Sequence, residues 1–289
     1  MSTVQPGGGS MVRRILLGSQ LRRLREAKGI SREAAGYHIR ASESKISRME
    51  LGRVGFKERD VADLLTLYGV TEGPERDSLL DLARGAHRAG WWHHYSDVLP
   101  GWFQTYVGLE ESAALIRTYE VQFVPGLLQC PEYIRAVTTL GRRPATDEEV
   151  ERRIRLRMRR QELLLAEGGP EYHAVIDEAA LRRPLGGASV MQAQIRHLLD
   201  LAARPNITIQ LMPLRHGGHA AEGGPFTILR FPGQKPPDVV YLEQLTGALY
   251  LDKHNDVHQY QQVMDLLCQE SQTPRETAES LRAMLKELD

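Results

Sequence analysis

Apolar residues recur at helical spacing over the first third of the chain. Leu16, Leu17, Leu21 and Leu24 fall on one helical face, and Arg22, Arg23 and Arg25 fill the other. Gly29 predicts the end of that helix, because glycine tolerates the left-handed conformation that closes a helix. Ser31 predicts the N-cap of a short second helix reaching about His38, and Ser42 the N-cap of a third reaching about Leu51. Residues 57–68 predict a fourth helix with Val61, Leu64, Leu65 and Tyr68 inward. After the break at Gly73-Pro74, residues 75–89 predict a fifth.

The pattern changes after Gly90. Helices are expected at residues 106–119, 131–140, 147–166, 189–203, 257–268 and 274–288. Strand-like runs stand between them at 172–176, 207–211, 226–231, 239–242 and 248–251, with Pro and Gly as punctuation. The expected fold class is an all-α N-terminal domain of four to five helices followed by a mixed α+β C-terminal domain. The boundaries read as a disordered tail at 1–11, a helical domain at 12–72, a connecting helix at 73–90 and the α+β domain at 91–289.

Composition sharpens this only in part. The 289 residues suffice for two cored domains, and 42% hydrophobic with 26% charged content is ordinary for a globular protein. Cys130 and Cys268 are too few for a disulfide framework and fit a reduced cytoplasm. Neither a membrane-length apolar run nor a secretory h-region is present, so the expected location is cytoplasmic, with no membrane partner. Lys+Arg number 37 and Asp+Glu 37, a net charge of zero that hides a split. Residues 1–90 carry 16 basic and 11 acidic side chains, leaving 21 and 26 for the rest, so the halves are +5 and −5. Residues 12–59 alone hold 13 basic against 5 acidic. Such asymmetry points to a basic module with a polyanionic partner.

Residues 29–52 place Ala35, Ile39, Ile46 and Met49 where two short crossed helices need packing residues. Glu43, Ser44, Ser47 and Arg48 then project from the outer face of the second of these helices, the position from which a recognition helix reads base edges in the major groove. Here the chain resembles the phage-repressor or XRE/Cro-type helix-turn-helix family over residues 17–70. The resemblance rests on the Leu-Arg-Arg-Leu-Arg-Glu run, Gly29-Ile30-Ser31, the Ser42, Ile46, Ser47, Arg48, Glu50, Gly52 core and the Leu-Tyr-Gly-Val end of the fourth helix. It departs at Arg40, a turn position where the family usually has Gly, and at Arg32 and Glu43. The resemblance implies a double-stranded DNA operator. Base contacts are expected from Glu43, Ser44, Ser47 and Arg48, and phosphate contacts from Arg32, Lys45, Arg53 and Lys57.

Gly90-Trp91-Trp92, Val124-Pro125-Gly126-Leu127-Leu128-Gln129, residues 176–184, Gly223-Gly224-Pro225-Phe226 and Val239–Glu243 together make the remainder similar to the large C-terminal domain of actinobacterial, Streptomyces-type, antitoxin-like XRE regulators. An Arg-rich, Lys-poor composition agrees. The resemblance implies a transcription regulator of development or secondary metabolism that binds a small partner protein encoded nearby. A homodimer is expected, since two half-sites multiply affinity. Trp91, Trp92, Trp102, Phe103 and Tyr119 are the candidates for a protein-docking groove or, alternatively, an aromatic small-molecule pocket. A further alternative is an interaction module or enzyme with an accessory DNA-binding domain.

The six arginines between Arg152 and Arg160 read first as the solvated face of an amphipathic helix, and second as contacts to flanking phosphate or an acidic partner. Chemistry is otherwise thin. His216, His219 and Glu222 have the wrong spacing for a cupin metal loop, and His254 and His258 lack a zinc-protease pattern. Asp177-Glu178 reads as a pair complementing a helix dipole. No enzyme activity, catalytic residue, metal or cofactor is expected.

Overall fold

The computed structural model describes residues 8–86, 90–140, 146–232 and 237–288, with side chains from Arg13 onward. The chain forms two compact units. The first holds the residues up to His94 and Gln104–Ser112; the second holds Tyr95–Phe103 and, among the described residues, nearly all that follow Ala113.

The described part of the first unit opens with α1 (Gly8–Ala27), α2 (Arg32–His38), α3 (Glu43–Glu50), α4 (Glu58–Leu67) and α5 (Pro74–Gly85). The tail expected at 1–11 falls partly outside the described residues, and from Gly8 onward it is the start of α1. Ser31 and Ser42 cap as their side chains predict, accepting from the Ala34 amide at 3.0 Å and the Lys45 amide at 3.2 Å. Gly29 closes α1 at φ 65°. Leu17, Leu21, Ala35, Ile46, Met49, Leu64, Leu65 and Tyr68 form one core. Leu79 and Ala83 of α5 belong to it too, so the helix expected as a connector is a structural part of this unit. The last residues of the helix expected at 75–89, 87–89, lie outside the described residues.

A six-stranded sheet organises the second unit, in the order β3-β2-β1-β4-β5-β6. The strands are β1 (Leu115–Glu120), β2 (Glu171–Asp177), β3 (Ile207–Met212), β4 (Phe226–Arg230), β5 (Val239–Gln244) and β6 (Gly247–Leu251). The first three run parallel, and β4, β5 and β6 add antiparallel. The helices are α6 (Gly101–Ser112, divided between the units), α7 (Pro131–Thr138), α8 (Asp147–Leu165), α9 (Glu178–Arg182), α10 (Ala188–Ala202), α11 (His254–Glu270) and α12 (Pro274–Leu288). An all-α unit followed by a mixed α and β region is the expected class.

One element differs. The helix expected at 106–119 is instead α6 up to Ser112 and then β1. Residues 115–120 are flanked by strands on both sides, and Ile116, Thr118 and Tyr119 suit a pleated surface better than a helix. Their alternation sets up two faces. On one, Tyr119, Val175, Met212, Phe226 and Val240 pack with Val257, Met264 and Leu267 of α11. The other carries Ile116, Thr118, Glu120, Thr227 and Tyr241. The β3 edge is covered: the Leu211 amide donates to Thr277 Oγ1 at 3.0 Å, and the Gln272 amide donates to the Leu211 carbonyl at 2.9 Å.

Candidate nucleic-acid interface

Two tight approaches set the angle between α1, α2 and α3. A Cβ on Gly36 would stand 2.7 Å from the Ala41 carbonyl oxygen, and one on Gly18 2.5 Å from that of Met49. Between α2 and α3 the turn passes through Arg40 at φ 55°, the single described non-glycine residue in the left-handed region. The departure from glycine is therefore absorbed as a strained residue and leaves the turn intact.

The inner face of α3 is fixed electrostatically as well as by packing. Glu50 is 3% exposed and Arg25 of α1 is 6% exposed. Arg25 pairs with Glu50 through Nε and through Nη2, the latter at 3.1 Å from Oε2, and its Nη1 donates to the Ile30 carbonyl at 2.8 Å. Hydrogen bonding to Glu50 raises the Arg25 pKa further above its ordinary value. Arg32 Nε adds a 3.0 Å bond to Glu50 Oε2. One carboxylate thus ties α1, α2 and α3 together.

Glu43, Ser44 and Arg48 lie exposed on the outer face of α3, and Ser47 is half-buried beside them. Arg48 Nε reaches back to the Ser44 carbonyl at 3.3 Å. The four residues expected to touch phosphate are less uniform. Lys57 is exposed at the N-cap of α4. Arg53 is half-buried just after α3. Lys45 forms a 2.8 Å ion pair with Asp60, and Arg32 is bound to Glu50, so both have intramolecular work. The Arg25–Glu50 tie and the two close-approach glycines were missed by sequence reasoning. A glycine inside a helical pattern, as Gly18 is, was the one available signal.

The aromatic candidates divide between the two units. Trp91 and Trp92 belong to the first unit, edge to face at 6.0 Å, with Trp92 buried over Gly90. In the second unit Phe103 stands 6.4 Å from Tyr241, on the sheet face opposite to Tyr119. Trp102 packs edge to face on Phe103, and its carbonyl accepts from Tyr250 Oη at 2.7 Å. Tyr119 is 1% exposed and bonds His219 Nε2 at 2.8 Å.

The arginine helix α8 also differs from expectation. Arg153 and Arg155 are exposed and Arg152 pairs with Asp97, but Arg160 is 5% exposed and Arg157 is half-buried. Ile154 packs with Ile134 of α7 on one side. On another, Gln161 donates at 2.6 Å to the Gln129 carbonyl, in the loop whose Gln129 Nε2 donates to the Val124 carbonyl at 2.7 Å. Contacts on both sides turn Arg157 and Arg160 inward. Asp177 caps α9 through the Ala179 amide at 2.8 Å, the dipole-complementing role its position suggested. Among the described residues, no group of three or more His, Cys, Asp or Glu side chains could hold a metal. Nor is any described helix long and apolar enough to cross a membrane.

A family model described as a helix-turn-helix domain matches residues 16–79, the region of α1 to α5. A second, described as a domain of unknown function, DUF5753, matches residues 103–283, well over half of the chain. No curated protein and no solved structure matches the chain. The first unit is accordingly the helix-turn-helix of a DNA-binding regulator, and the chain belongs to the DUF5753 family.

Proposed function

We propose that the chain is a sequence-specific transcription regulator of the actinobacterial, antitoxin-like XRE type, that it binds its operator as a homodimer, and that it acts without catalysis. The observation that carries this reading is the outer face of α3, where Glu43, Ser44 and Arg48 stand exposed while Ile46, Met49 and Glu50 hold the helix from within. An exposed Arg on a recognition helix suits guanine, and an exposed Glu suits the cytosine amino group. Arg48→Ala is expected to cost about 1–3 kcal/mol on the operator and to relax specificity there. Gel-shift titration against operator and scrambled duplex reads both, and unchanged operator affinity removes Arg48 from the set. Lys57→Ala is expected to weaken all sequences alike and to lower the salt slope by about one counterion. Titration over a range of salt concentrations checks it.

The C-terminal domain is read first as the receptor for a small partner protein encoded nearby. Co-purification with that neighbour tests this, and a complex that never forms overturns it. Small-molecule sensing is the second reading, favoured by the buried polar groups Thr118, Thr227 and Tyr241 on one face of the sheet.

A further inference from the structure

Helices α1, α2, α3 and α4 close in the same way. After α1 the Ile30 amide donates to the Arg25 carbonyl at 3.1 Å, and after α2 the Ala41 amide donates to that of Gly36 at 2.8 Å. After α3 the Arg53 amide donates to the Arg48 carbonyl at 2.8 Å, and after α4 the Val70 amide donates to that of Leu65 at 2.8 Å. In each, the residue before the donor takes a left-handed backbone: Gly29 at φ 65°, Arg40 at 55°, Gly52 at 65° and Gly69 at 84°. Glycine meets that conformation freely, whereas a Cβ there crowds the neighbouring carbonyl. Three of these ends use glycine. The end that leads into α3 uses arginine and carries the strain.

No side-chain contact among the described residues accounts for that choice. Arg40 is exposed, and its guanidinium makes no hydrogen bond or ion pair among them. Glu33 and Glu43 are exposed nearby in sequence, and neither pairs with it. Other cations of the unit are engaged: Arg25 and Arg32 on Glu50, Lys45 on Asp60, and Arg23 on Glu75. Strain that no local contact explains is a pointer to function. The position suits one. Glu43 follows Arg40 by three residues, at most about 11 Å of chain. The major groove is about 12 Å wide, so with Glu43 at the base edges Arg40 stands at the phosphate wall, within reach of a long side chain.

We infer that Arg40 is a DNA-phosphate contact that sets how α3 sits in the groove. A guanidinium offers paired donors to the oxygens of one phosphate, and such contacts fix register without reading sequence. The turn thereby does two things: its backbone crosses α2 onto α3, and its side chain clamps the wall of the groove that α3 enters. The inference rests on the reading of α3 as the base-reading helix.

The test sets stability against affinity in three full-length variants, Arg40→Gly, Arg40→Gln and Arg40→Lys. The probes are a duplex that the parent selects from a random pool and a scrambled duplex. Binding is read by fluorescence anisotropy at about 0.15 M salt, where a charge more than about 8 Å away is largely screened, and then over a salt series. Arg40→Gly is expected to unfold at the parent's temperature or above, because the strain is gone, yet to bind both duplexes about fivefold more weakly with a salt slope smaller by about 0.9. Arg40→Gln keeps the strained Cβ and loses the charge, and should show the same loss of binding. Arg40→Lys keeps the charge and should recover most of it. Glycine and glutamine variants that bind as the parent does, with an unchanged salt slope, overturn the contact. A loss confined to the selected duplex makes Arg40 a base reader and overturns the phosphate role. An Arg40→Gly chain less stable than the parent gives the side chain a structural part and overturns the inference as well. A parent that selects no duplex overturns the reading of α3, and this contact with it.

Discussion

Replacing Glu50 by alanine is expected to destabilise the helix-turn-helix unit by about 3–5 kcal/mol, because it strands a buried charge. Arg25 is 6% exposed, and Glu50 is the acceptor for its Nε and Nη2. Without it, the Ile30 carbonyl remains as a neutral acceptor, and Glu26 offers a 3.4 Å contact from an exposed position. Arg32, half-exposed, can turn to water and loses far less. Urea denaturation of the full chain checks the loss, and a change under about 1 kcal/mol removes the tie from the account. The companion variant replaces both partners, Arg25→Met with Glu50→Leu. Removing a buried pair together is often near neutral, so this double variant should recover most of the stability while the single variant does not.

Gly18→Ala carries the second large effect, and its sign opposes the intrinsic preference. Alanine in a helix interior is worth roughly 1 kcal/mol over glycine. Here the added methyl would meet the Met49 carbonyl oxygen at 2.5 Å and that of Glu50 at 2.6 Å. Both are backbone atoms of the α3 end, so no side chain can swing aside. Overpacking of this kind costs about 1–3 kcal/mol, and α1 must move off α3 to relieve it. Thermal unfolding should therefore show a clear loss for Gly18→Ala. Gly55→Ala, where nothing lies within 4 Å of the new Cβ, should change little. A Gly18→Ala chain as stable as the parent means the two helices have slack.

These two sites show where legibility stops. The caps could be read, because Ser31 and Ser42 act on amides only three residues away. Five of the six strands could be read from apolar runs between Gly and Pro. β1 could not: its residues follow a helix with only a two-residue break, and its strand character comes from β2 and β4 on either side. Arg25 and Glu50 are 25 positions apart, and nothing local distinguishes a buried glutamate from the charged neighbours that stay in water. The same holds for α8, where periodicity placed the arginines outside. Only the loop at Val124–Cys130, folded against the helix, explains why Arg157 and Arg160 turn in while Arg153 and Arg155 do not. Of the candidate DNA contacts, Glu43, Ser44 and Arg48 followed from helical phase alone, whereas Lys45 and Arg32 acquired partners that only the tertiary structure supplies.

The division of α3 into an anchored side and a bare side has a practical corollary. Ile46, Met49 and Glu50 carry the helix's attachment, while Glu43, Ser44 and Arg48 carry almost none of it. Letters on the bare side can be exchanged without renegotiating the core, in the way type is changed in a fixed frame. A library randomised at those three positions should stay folded throughout, and on the proposed reading of α3 its members differ in the operator they select.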